Sequence, residues 1–149
     1  MTIPTTLIRF GWCFRAVTPA LFIMSSAMAE PLKLQCPVSY PAGQQLRDLR
    51  TQGWRAPDAI ERRLALTEAG LLTGSPDEHG ELRGSDLPRD TGRQFNFSGT
   101  GEDGEKWFYC SYGKRSSRIA YPLPVETRGC ETRESMARGR VVAASIRCD

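Results

Sequence analysis

The 149-residue chain contains one histidine, His79. Triad hydrolases and most catalytic zinc centres place an imidazole beside a nucleophile or other metal ligands, so this scarcity leaves little room for either. No Gly-x-Ser-x-Gly segment marks a nucleophile elbow. No Cys-x-x-Cys pair supports a zinc or thioredoxin-like redox site. Long apolar runs are missing too. The stretch Ala16–Met24 is short and interrupted by Pro19, whereas a bilayer-spanning helix needs about 20 apolar residues. Charge of one sign is not in large excess, with 20 Lys+Arg against 17 Asp+Glu. The length points to one domain, and the 40% hydrophobic and 25% charged content is that of a globular chain.

What is present begins with a leader. Arg9 and Arg15 precede Ala16–Met24, and Ser25-Ser26-Ala27-Met28-Ala29 ends in an Ala-x-Ala site. This order is that of a secretory signal peptide over residues 1–29, cleaved after Ala29, with a single domain over 30–149 exported to the periplasm. The leader has no adjacent arginine pair, so twin-arginine export is not indicated. Its removal takes two Arg, no acid and Cys13. The remaining 120 residues carry 18 basic and 17 acidic groups, net +1, and four cysteines: Cys36, Cys110, Cys130 and Cys148. An even cysteine count in a small exported domain implies disulfides, with three pairings open.

The pattern is one of short strands and turns. Leu32–Cys36 alternates apolar and polar residues. Leu46 and Leu49 allow a short helical turn that ends near Gly53. Residues 57–73 are ambiguous. Asp58 and Glu61 could form a helix capping box, while Leu64, Leu66 and 67–72 suit strands interrupted at Gly70, the preferred reading. Residues 74–93 read as a long, mostly polar surface loop. Gln94–Ser98 and the aromatic run Lys106–Tyr112 read as strands, with Asp103-Gly104 as a hairpin turn between them. Arg118–Leu123 is a further strand, and Pro122 places it at an edge or marks its end. Val125–Glu131 and Val141–Cys148 complete the set. The expected fold class is mainly β, or α+β: a small antiparallel sheet domain with two disulfides and one long polar loop.

The motifs that suggest chemistry have plainer readings. Gly99-x-Gly101-x-x-Gly104 has the letters of a dinucleotide fingerprint, but a strand follows it where a helix is required, and Glu102 and Asp103 would repel phosphate. The same acids lack the alternating ligands of a calcium loop. His79 sits in a polar loop. Lys114, Arg115 and Arg118 with Tyr112 and Tyr121 could stack bases, yet a net charge near zero argues against nucleic acid. No metal and no cofactor is expected.

Trp107-Phe108-Tyr109-Cys110-Ser111-Tyr112-Gly113, Pro122-Leu123-Pro124 and Gly129-Cys130-Glu131, with Cys36-Pro37, Trp54 and the segment from Gly74-Ser75-Pro76 to Leu82, resemble a group of small exported proteins of Gram-negative bacteria. The resemblance implies a periplasmic β-rich domain, and an immunity or inhibitor role beside secretion systems. It supplies no catalytic residues. Cys110 and Cys130 flank the Arg118–Leu123 strand, which favours 110–130 with 36–148. The expected function is non-enzymatic binding of a protein or envelope component. The contact surface would lie on the 74–93 loop and the 99–105 turn: Asp77, Glu78, His79, Glu81, Glu102 and Asp103. The rival is a small envelope hydrolase using carboxylates such as Asp77, Glu81 or Glu105.

Overall fold

The computed structural model describes residues 30–57, 63–77, 80–88, 92–97, 104–113 and 117–149. Residues 1–29, expected to be a leader, lie outside them, as do the Asp58/Glu61 pair, Glu78, His79, Glu102, Asp103, Lys114 and Arg115. The elements are β1 (Leu32–Gln35), α1 (Gly43–Thr51), β2 (Leu66–Thr73), β3 (Gly80–Glu81), β4 (Ser85–Asp86), β5 (Gly92–Asn96), β6 (Lys106–Tyr112), β7 (Ser117–Pro122), β8 (Gly129–Ala137) and β9 (Arg140–Cys148). They build two antiparallel sheets. One has the order β1-β9-β8-β5-β4, the other β3-β2-β6-β7. The protein is mainly β, with two disulfides.

The aromatic run is the centre of the second sheet. All seven residues of β6 are buried, because β6 pairs with β2 on one side and β7 on the other and both of its faces are covered. Side chains alternate along a strand. Phe108, Cys110 and Tyr112 therefore join Leu71 and Ile119 in a core shared with Phe95, Ala144 and Ile146 of the first sheet. Trp107 and Tyr109 point the other way and form a smaller cluster with Leu72 and Ala120. Pro122 does end an edge strand, as its missing N–H requires.

Helix α1 follows the Leu46/Leu49 spacing: Leu46 is buried and Leu49 packs against the core. Gly53 then adopts a left-handed φ of 95° and turns the chain so that Trp54 stands edge-on to both Phe108 and Tyr121, with ring centroids 6.0 and 5.5 Å away. Arg55 exchanges both backbone hydrogen bonds with Ala120. One residue thereby extends the second sheet beyond β7.

Five expectations need correction. Strands β5 and β6 are not a hairpin, because β5 pairs with β4 and β8 while β6 lies in the other sheet. Asp103, the first residue of the expected turn pair, lies outside the described residues. The 74–93 segment is not a plain polar loop. It contributes β3, β4 and the start of β5, and Leu82 packs against the core. Gly70 does not interrupt β2, which runs through it, and the strand after Val125 starts only at Gly129. The favoured disulfide pairing is overturned. Cys36 bonds Cys110 and Cys130 bonds Cys148. Register explains the second bridge, since Cys130 and Cys148 are direct partners across β8 and β9 with Cα atoms 4.2 Å apart. The first joins the two sheets. The Cys36 N–H donates to the Ala144 carbonyl and so lies beside β9, facing Cys110 on the inner side of β6.

Candidate interaction surface

The outward face of the second sheet combines aromatic and charged side chains through strand register. Gly70, Tyr109 and Ala120 are successive partners across β2, β6 and β7, and the Ala120–Arg55 bridge adds Arg55 to the row. Glu81, Leu72, Trp107 and Pro122 form the neighbouring row, and Glu68, Ser111 and Arg118 a third. Gly70 is needed for this packing: a Cβ there would stand 2.9 Å from the Tyr109 ring.

Two arginines on this face, Arg118 and Arg55, lie on rings. The Arg118 guanidinium is 4.2 Å from the Tyr109 ring centroid, and that of Arg55 is 4.5 Å from the Trp107 centroid. These are cation–π distances. Arg118 is fixed further by a 2.9 Å ion pair with Glu81 and a 3.3 Å hydrogen bond from its Nε to Ser111 Oγ. The Tyr109 hydroxyl donates to Glu68 at 3.3 Å. Burial, then the nearby carboxylates of Glu68 and Glu81, push the Tyr109 phenol well above its ordinary range, with Arg118 opposing them. The buried Trp107 indole N–H has no hydrogen-bond acceptor among the described residues.

Beside β7 a cleft of about 590 Å³ opens on this face. Arg50, Trp54, Arg55, Asp77, Arg118 and Ala120 are among its walls. Arg50 is held in place by bonds to the carbonyls of Ala56 and Pro57, at 2.9 and 3.0 Å.

The structure therefore brings three of the residues singled out in the sequence to one face: Asp77 and Arg118 at the cleft, and Glu81 in the Arg118 ion pair. Glu105, exposed next to β6, does not line the cleft. The base-stacking reading loses Tyr112, whose ring is fully buried and whose hydroxyl donates to the Pro37 carbonyl at 3.0 Å. Sequence reading missed Arg50, Arg55 and the outward role of Trp107. Alternation along β6 does put Trp107 and Tyr109 on a common side. Arg55 reaches that side only through pairing with Ala120, 65 positions away.

Among the described residues, no helix is long and apolar enough to cross a membrane. No curated protein and no solved structure matches the chain. Residues 61–149, more than half of its length, match the family described as type VI secretion system Tli immunity protein. The match takes in β2 to β9, and with them both sheets except β1. The chain belongs to the family of type VI secretion system Tli immunity proteins.

Proposed function

We propose that this immunity protein acts in the periplasm without catalysis, neutralising a type VI effector by forming a complex with it through the outward face of the second sheet. Family membership supports the inhibitory role. Two disulfides are compatible with an oxidising compartment. The observation that carries the placement is the pair of arginines stacked on Trp107 and Tyr109 beside an open cleft. Arginine and large aromatics dominate binding energy at protein interfaces. Side chains already ordered in the free protein lose less entropy on association. Asp77 and Glu81 belong to the proposed surface. Glu78 and His79 remain part of the same proposal through their positions between Asp77 and Glu81, and Glu102 and Asp103 are kept in it as the acidic turn that precedes β6 in sequence.

The test is to direct effectors of the producing strain's type VI system to the periplasm one at a time, with and without this chain. The expected result is survival with one effector and co-elution of the two proteins as a stoichiometric complex. Failure to protect against any effector would overturn the reading. So would protection by a few molecules of this chain per many of effector, which would mean turnover.

A further inference from the structure

The cleft beside β7 has a charge pattern of its own. Arg50, Arg55 and Arg118 supply three guanidinium groups to its walls, and Asp77 supplies one carboxylate. Arg118 is answered by Glu81. Arg55 differs: it is exposed, and among the described residues no carboxylate pairs with it. Its backbone is clamped on both sides by the Ala120 bonds, at 2.7 and 2.8 Å, and its side chain rests on the Trp107 ring. The side chain is therefore held with its cationic end at the cleft, while Trp54, Ala56, Pro57, Pro76 and Ala120 provide an apolar floor.

A second basic surface among the described residues lacks this construction. On the first sheet a smaller depression, of about 440 Å³, is lined by Lys33, Arg133 and Arg147 together with Glu131. There Arg133 is already paired with Glu131.

We infer that the cleft receives an Asp or Glu side chain of the effector, and that Arg55 is the residue that pairs with its carboxylate. The inference deepens the proposed function and rests on it. A planar guanidinium matches a carboxylate in a two-pronged geometry. Seating the carboxylate against the apolar floor removes water from the pair, which strengthens it. Stacking on Trp107 fixes the fork beforehand, so binding orders one side chain fewer. The aromatic ring beneath also explains why arginine suits this position: a lysine ammonium keeps the charge but loses the planar stack.

The experiment uses the full chain and the effector identified by the protection assay above. Affinities are measured by titration calorimetry for the wild type, Arg55→Lys, Arg55→Glu and Arg147→Glu, the last making the same charge change on the other sheet. Arg55→Glu should weaken binding by about 30-fold or more, as expected for reversal at a buried charge pair. Arg147→Glu should stay within about threefold, as expected of a peripheral charge. Arg55→Lys should fall between. A reversed Asp or Glu on the effector should restore binding of Arg55→Glu. A loss below tenfold in Arg55→Glu, or an equal loss in Arg147→Glu, overturns the inference while leaving the inhibitory role intact. Where Arg55→Glu melts below the wild type, Arg55→Gln is judged by the same thresholds. An effector that does not bind the wild type sinks the proposed function instead.

Discussion

Tyr112 shows how much one side chain contributes here. Its ring is fully buried, stands edge-on to Tyr40 at 5.4 Å, and its hydroxyl donates to Pro37. Burial, with Tyr40 close by, raises the phenol above its ordinary pKa of 10.0. In the unfolded chain the group ionises near that ordinary value, whereas the folded state resists ionisation. Its contribution is thus complete below pH 10 and is lost as pH rises beyond it. Tyr112→Phe should cost about 1 kcal/mol at pH 7, for the lost hydrogen bond and the unanswered Pro37 carbonyl. The mutant should also lose stability less steeply than the wild type between pH 9 and 11. Urea unfolding at a series of pH values measures both. An unchanged alkaline slope would show that Tyr112 ionises normally. Tyr109 is raised in the same direction, so the double variant with Tyr109→Phe should flatten the slope further.

At the scale of elements, the two disulfides differ in what they constrain. Cys36–Cys110 closes 74 residues and joins the sheets, while Cys130–Cys148 closes 18 within one sheet. On a chain-entropy basis the first is worth about 4.4 kcal/mol and the second about 3.2. Replacing Cys36 and Cys110 by Ala should therefore lower the urea midpoint more than replacing Cys130 and Cys148. The reverse order would mean that the longer loop is already compact when unfolded. The sequence carried the strands themselves well. The alternation in Leu32–Cys36, the aromatic density of Lys106–Tyr112 and the apolar run Val141–Cys148 are local signals, and each produced an element. Pairing was not legible, because register between distant strands is set by which faces must be buried together. The same limit misled the disulfide choice: proximity to one strand in sequence placed Cys110 near Cys130, whereas the fold separates them into different sheets. Short β3 and β4, two residues each, exist by pairing to β2 and β5 and leave no periodicity to read. Arg55 was hidden for that reason too, since nothing around it in sequence announces a bridge to Ala120.

For the molecule as a whole, compartment and fold are linked. A reducing cytoplasm would leave four thiols unpaired and remove the constraint that joins the sheets. The proposed periplasmic site of action then predicts that a form lacking residues 2–29, expressed in the cytoplasm, will not protect against the effector delivered to the periplasm. The same form oxidised in vitro should bind the effector as tightly as the full chain. Equal protection by the leaderless form in cells would place its action elsewhere. The near-neutral charge of residues 30–149, +1 overall, means that attraction to a partner comes from local patches such as the Arg55 cleft rather than from the long-range field.

The bridges also have an order. Counted along residues 30–149, the first cysteine bonds the second, and the third bonds the fourth. A polypeptide that emerges N-terminus first therefore presents its thiols in native pairs. When Cys110 appears, Cys36 is the one partner waiting for it from residues 30–149, and Cys130 appears only after that pair can close. An oxidase that joins each newly exposed thiol to the last free one makes both correct bonds in sequence. Under the proposed export to the periplasm no shuffling step is then required, and an oxidant alone is enough for maturation.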